Sequence, residues 1–237
     1  MPRIYPYDLV NGHVVAVVGD RRCLIDTGAP ASFGRPASLE IAGRCHDLAE
    51  SYLGATAEGL SAGVGGPIDT LVGTDILNRH DLGIDPATGT VAFSELPLPL
   101  PASTLPLRTV LGIPAVTAHV GGEPTGLIFD TGAKLSYLDP ELTRDLPVTG
   151  TAQDFYPWFG AFTTPVFDAD IHLAGEPITL RVGNLPLMLA MSLLLAGTAG
   201  ILGSALLATH RVTYAPRRGL LGLERLEAAE RRASAAD

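Results

Sequence analysis

Two carboxyl groups in matching surroundings dominate the chemistry of this 237-residue chain: Asp26, in CLIDTGAPASF, and Asp130, in GLIFDTGAKLSY. Each opens an Asp-Thr-Gly triplet at the end of an apolar run, and each triplet is followed by Ala. A single such triplet is weak evidence, because Asp and Gly are ordinary turn residues. Two copies in one frame, one per half of the chain, point to carboxylates brought together by internal symmetry. Like charges at contact distance oppose one another, so such a pair shares one proton and titrates as a unit. The ionised member can take a proton from water while the protonated member hydrogen-bonds a peptide carbonyl. This hydrolysis needs no metal, cofactor or covalent nucleophile. Which Asp is acid and which is base stays open in the sequence.

The neighbouring residues suit a paired tip. Gly28 and Gly132 allow close backbone approach. Thr27 and Thr131 are short, stiff and able to hydrogen-bond across a junction. Downstream of each triplet lies an apolar-apolar-Gly segment, Leu71-Val72-Gly73 in the first half and Ile201-Leu202-Gly203 in the second. With Gly73 set against Gly203, Leu77 meets Leu207, His80 meets His210, Pro86 meets Pro216 and Gly89 meets Gly219. Ser32 likewise meets Ser136, and Phe33 meets Tyr137. Each half therefore has the order strand, DTG turn, variable middle, apolar-apolar-Gly, short helix, hairpin, which is an internal duplication. From Asp to support Gly the first half spans 47 positions and the second 73. The 26 additional residues are expected to form an extra β-hairpin or lengthen an existing one.

Composition agrees with a folded, mostly β chain. Short Val/Ile/Leu/Thr runs are punctuated by 27 Gly and 19 Pro. Prolines 97, 99, 101 and 106 mark an extended connector near 100–108. A net charge of -9 argues against nucleic-acid binding. Cys23 and Cys45 are too few for a disulfide framework, and Cys23 reads as a small buried hydrophobe. With no apolar leader in MPRIYPYDLVNGH, a cytoplasmic setting is expected. Residues 182–209 carry no charge and are long enough to span a bilayer. Their end repeats the first-half support pattern, so they are read as three buried strands separated by tight turns, with no membrane partner.

The paired triplets with their paired supports resemble aspartic peptidases of the retropepsin/pepsin clan, and specifically a retropepsin pair fused in one chain, over roughly residues 10–223. The DTG-Ala form, at Ala29 and Ala133, is closer to retropepsins. The resemblance implies a mostly β, two-lobed, pepsin/retropepsin-like acid protease fold with pseudo-twofold symmetry. Its lobes would be residues 1–104 and 105–223, with 224–237 a terminal tail or short helix. It implies an aspartic endopeptidase, acting as a monomer on extended peptide or protein substrates through Asp26 and Asp130. Thr27, Gly28, Thr131, Gly132, Gly73 and Gly203 would support the dyad. A non-catalytic peptide-binding module on the same fold is the alternative.

The resemblance further implies a flap over the cleft. DFYPWFGAF, residues 154–162, offers Tyr156, Trp158, Phe159 and Gly160 for a flap or subsite wall; an apolar patch packed on its own lobe is the other reading. The first half offers only Tyr52 in AESYLGATAEGLSAGVGG, so a truncated loop is expected there. Asp75 is expected in a salt bridge with Arg21 or Arg22, and His80 and His210 as packing or surface residues. No histidine spacing makes a zinc site, GVGG lacks the Lys-Ser/Thr of a phosphate loop, and no Gly-x-Ser-x-Gly elbow occurs.

Overall fold

The computed structural model describes residues 1–157, 159–227 and 230. It is mostly β and two-lobed, built from a ten-stranded and an eight-stranded sheet with two small ribbons. In each half a hairpin delivers the DTG turn. The first comes from His13–Val18 and Arg21–Ile25, the second from Ile113–Val120 and Glu123–Asp130. Alternation in these strands buries Val14, Ala16, Cys23 and Ile25 in one core, with Val116, Ala118, Leu127 and Phe129 from the other half.

The apolar-apolar-Gly segments then enter as parallel partners. Arg21–Ile25 pairs with Thr70–Val72, and Glu123–Asp130 pairs with Gly200–Gly203. Short strands return antiparallel on the far side of each support, Phe33 opposite Leu71 and Tyr137 opposite Ile201. The sequence equivalences hold to the residue: Gly73 N–H donates to Ser32 Oγ at 2.8 Å and Gly203 N–H to Ser136 Oγ at 3.1 Å. A β-carbon on Gly73 would stand 2.8 Å from Ala29 O, and one on Gly203 would stand 2.1 Å from Leu135 O. No larger residue fits under either turn.

The last hairpins of the two halves meet in one sheet. Leu82 pairs with Tyr214 and Ile84 with Val212, so the lobes share a continuous β spine. The Pro-rich connector is extended, and Thr104–Pro106 adds an edge strand to Leu220–Arg225.

Three expectations are corrected. The uncharged stretch 182–209 is not three strands: it holds the end of Glu176–Asn184, an α-helix Leu187–Leu195, the strand Gly200–Gly203 and a 3-10 turn Ser204–Ala208. Leu, Met and Ala favour helix, and Pro186 sits at its N-cap. No helix among the described residues is long and apolar enough to cross a membrane. The first-half middle is not a truncated loop but a ribbon, Ser51–Tyr52 with Ala55–Thr56, followed by helix Ala57–Val64. Thr56 caps that helix by accepting from Gly59 N–H, and Gly65 ends it at φ 79°. Asp75 makes no bridge to Arg21 or Arg22; its carboxylate accepts from Ser32 Oγ at 2.6 Å and Ile76 N–H at 3.0 Å, bracing the serine under the support glycine. His80 and His210 are buried packing residues. The 26 additional residues of the second half go into a lengthened hairpin, with Gly160–Leu173 as its central strand.

The lobes are locked at their tips. Thr27 N–H donates to Thr131 Oγ1 at 3.1 Å and Thr131 N–H to Thr27 Oγ1 at 3.0 Å. Each hydroxyl passes its own proton to the opposite strand, Thr27 to Phe129 O at 2.8 Å and Thr131 to Ile25 O at 2.7 Å. Both threonines are buried. Thr27→Val keeps shape but strands the Thr131 N–H and the Phe129 carbonyl. We expect a loss of about 2–4 kcal/mol in urea unfolding, the sum of two unsatisfied buried groups; a surface Thr such as Thr88→Val should cost less than ~0.5 kcal/mol.

Candidate functional site

The interlocked turns place Asp26 and Asp130 against each other at the floor of a cleft between the lobes. Each glycine of the opposite triplet lies over the facing carboxyl: a β-carbon on Gly28 would stand 2.3 Å from Asp130 Cγ, and one on Gly132 would stand 2.4 Å from Asp26 Cγ. This is the packing reason for glycine at both positions. Each carboxylate is also held by its own turn. Asp26 Oδ1 accepts from Gly28 N–H at 2.9 Å; Asp130 Oδ1 accepts from Gly132 N–H at 2.8 Å and Ala133 N–H at 3.2 Å.

Burial raises the pKa of both carboxyls. Asp26 is lifted well above the ordinary carboxylate range, by desolvation first and then by the charge and hydrogen bond of Asp130. Asp130 is also raised by burial, but the Gly132 N–H, the bond to Asp26, the Ala133 N–H and His13 oppose the rise. Two touching carboxyls cannot both ionise cheaply, so the pair holds a proton through pH values at which a free Asp has lost it.

The cleft above the dyad has a volume of about 340 Å³ and is lined mainly by apolar side chains. Leu60 and Val64 of helix Ala57–Val64 form one wall. Phe155, Tyr156 and Phe162 of the hairpin Gly150–Tyr156/Gly160–Leu173 form the roof. Leu189 and Leu193 of helix Leu187–Leu195 close the other side, while Leu187, Met188, Met191, Leu194 and Leu195 of that helix face solvent. The two covers touch: a β-carbon on Gly63 would lie 2.2 Å from the Phe155 ring.

Of the flap residues read from the sequence, Tyr156 reaches the cleft, and its hydroxyl is pushed up to about 12 by burial and by the charges of Asp130 and Asp26. Gly160, at φ 87°, turns the hairpin. Phe159 lies outside the lining, half-exposed and edge-on to Phe162 at 6.3 Å. Trp158 falls outside the described residues. Tyr52 does not reach the cleft either; it packs on the first-lobe apolar cluster around Phe33 and Leu60. The first half, poor in aromatics, covers the cleft with a helix whose Leu60 and Val64 sit at helical spacing inside a Gly-rich run.

Sequence reasoning also missed a polar group beside Asp130. His13 Nδ1 lies 2.7 Å from Gly132 O. Asp154, buried under the hairpin, accepts from the Tyr137 hydroxyl and from Phe155 N–H at 2.8 Å, with Lys134 Nζ 3.7 Å away. No three-residue cluster of His, Cys, Asp or Glu suited to a metal occurs among the described residues.

No family model matches the chain, and no curated protein does. Among solved structures it is similar to the solution structure of simian foamy virus (mac) protease. The identity is 15% and the TM-score 0.29, over 38% of this chain and 86% of that one.

The dyad bears on stability with a definite sign. Between the ordinary Asp pKa and the raised value, the folded chain holds a proton that the unfolded chain has released, so stability falls as pH rises through that window. Asp26→Asn removes the penalty. We expect the variant to melt above the parent at pH 7, by about 2–4 °C for each ~1 kcal/mol regained in a chain of this size. The gap should close as pH approaches 4, in calorimetry run on both proteins.

Proposed function

We propose that the chain is an aspartic endopeptidase that hydrolyses peptide bonds with water held between Asp26 and Asp130. The observation that carries this reading is the pair itself: two carboxyls in contact, clamped by reciprocal threonine bonds and covered by each other's glycines. In the reaction, the ionised carboxylate takes a proton from water as the oxygen attacks. The protonated partner hydrogen-bonds the substrate carbonyl, and the leaving nitrogen is protonated on collapse. Thr27 and Thr131 fix the distance between the carboxyls, and Gly73 and Gly203 let the supporting strands lie directly beneath.

The substrate on this reading is an extended peptide with apolar side chains at the bond to be cut. The lining supports it, because Leu60, Val64, Phe155, Phe162, Leu189 and Leu193 offer a charged side chain no partner. A cleft of about 340 Å³ is at the small end of ligand sites, so the hairpin must lift off Gly63 for a chain to enter. On this reading Tyr156, which lines the cleft, closes over the scissile bond.

Digestion of a peptide library by the purified chain tests the proposal directly. Expected are cleavage between apolar residues and at least ~100-fold loss of kcat in both Asp26→Asn and Asp130→Asn, each still folded. Binding of peptides without turnover, unchanged in the Asn variants, would instead establish a peptide-binding module. The rate should be bell-shaped in pH, because the competent pair carries one proton. Since both carboxyls are raised by burial, its alkaline limb should lie above the ordinary carboxylate range, as a pH series of kcat/KM will read.

A further inference from the structure

We propose that His13 is a positioning residue that makes the two carboxyls unequal, fixing Asp130 as the ionised partner and leaving the shared proton on Asp26. This rests on the hydrolytic reading, and it assigns the acid and base roles that the duplicated sequence leaves open.

The halves share one backbone geometry where His13 sits. Asn11-Gly12 and Leu111-Gly112 form the same left-handed turn, with φ of 51° and 86° in the first and 52° and 86° in the second. The flanking pairs correspond, Val10 with His13 and Val110 with Ile113. His13 and Ile113 are therefore equivalent positions, and both line the cleft. One carries a ring donor; the other carries no hydrogen-bonding side chain.

The turn bearing His13 is clamped. Ser204 Oγ donates to Gly12 O, and Asn11 Nδ2 donates to Val64 O at 2.8 Å, at the end of helix Ala57–Val64. The ring nitrogen Nδ1 then stands 2.7 Å from Gly132 O. A carbonyl oxygen can only accept, so Nδ1 carries the proton. That carbonyl belongs to the Gly132–Ala133 peptide, whose Ala133 N–H donates to Asp130 Oδ1 at 3.2 Å. A hydrogen bond accepted at one end of a peptide strengthens donation at the other. His13 thus stabilises the Asp130 carboxylate through one peptide unit, and Ile113 cannot do the same for Asp26.

The charged groups around His13 are Asp154, Lys134 and Asp130. Burial is the largest influence on the ring and holds it neutral to lower pH than a free histidine, so the neutral Nδ1–H form is the working one. In the reaction, the new C–O bond forms as water gives its proton to Asp130 and Asp26 gives its proton to the carbonyl oxygen. When the C–N bond breaks, Asp130 passes its proton to the leaving nitrogen, and a hydroxyl of the tetrahedral diol returns its proton to Asp26 as the carbonyl re-forms.

The test is the titration of the dyad, which needs no turnover, set beside kinetics. Carbon NMR of chain labelled at the Asp carboxyls, assigned with the two Asn variants, reads both macroscopic pKa values. In His13→Leu the lower value should rise by about half a unit or more. kcat should fall roughly 3–10-fold with KM unchanged. His13→Asn places its Nδ2 as many bonds from Cα as His Nδ1, and should restore both. Nitrogen NMR of labelled histidine in the unmodified chain should show a neutral ring protonated at Nδ1; protonation at Nε2 alone overturns the inference. So does a His13→Leu dyad that titrates like the parent, or an Asn variant that behaves like Leu. An unmodified chain that cleaves nothing while its dyad still shifts in His13→Leu removes the hydrolytic reading and leaves the coupling to His13 standing.

Discussion

Four hydrogen bonds between Thr27 and Thr131 and the strands beneath them set the distance on which every other feature of the site depends. They lie in the interior, where an unmade bond leaves a desolvated donor or acceptor, so the two turns meet in one geometry or not at all. Once the threonines are paired, the carboxyl of each triplet has no room except over the glycine of the other. The contact between Asp26 and Asp130 is therefore imposed by backbone packing. It is held against the electrostatic preference of the carboxylates; burial raises the pKa of both, and the charge of Asp130 adds to the rise of Asp26.

The demands of that contact spread outward in a chain of small residues. Gly73 and Gly203 let the support strands pass beneath the turns, and Ser32 and Ser136 satisfy their amides. Asp75 braces Ser32 in the first half, while the second half has Ala205 at that point and no such brace. The shared spine at Leu82–Tyr214 and Ile84–Val212 fixes the lobes far from the tips. The cleft floor thus belongs to the rigid part of the molecule. The covers are a hairpin and two short helices.

This division explains what could be read from the chain alone. The floor is duplicated, and its residues are chosen by backbone approach, so Asp26, Asp130, both glycine supports and the Ser32/Ser136 pair are legible in the spacing. The covers obey weaker rules: the helices Ala57–Val64 and Leu187–Leu195 each start 16 residues before their support glycine but differ in side chains, and the hairpin has no counterpart among the described residues. Helix Leu187–Leu195 is apolar on both faces, one over the cleft and one in solvent, so its sequence lacks the polar stripe that distinguishes a surface helix from buried strands. Helix Ala57–Val64 hides in a Gly-rich run; its signals are a Thr cap, a terminal Gly and a short apolar period at Ala57, Leu60 and Val64. His13 gave no signal, because its meaning comes from contact with Gly132, 119 residues away.

The presence of two matched halves in one chain matters for the same reason. Where two identical chains meet on a twofold axis, any residue placed beside one carboxyl is placed beside both, so the pair is symmetric until a substrate arrives. Here the two turns can change separately. Their backbones have stayed alike, as the matching left-handed residues before His13 and Ile113 record, while the side chains have diverged. Asymmetry lies on both sides of the dyad: His13 behind Gly132 and the Asp154, Tyr137 and Lys134 group flank the second triplet, and the Asp75 brace lies under the first. The shared backbone holds the carboxyls together, and the side chains that differ between the halves determine how they differ.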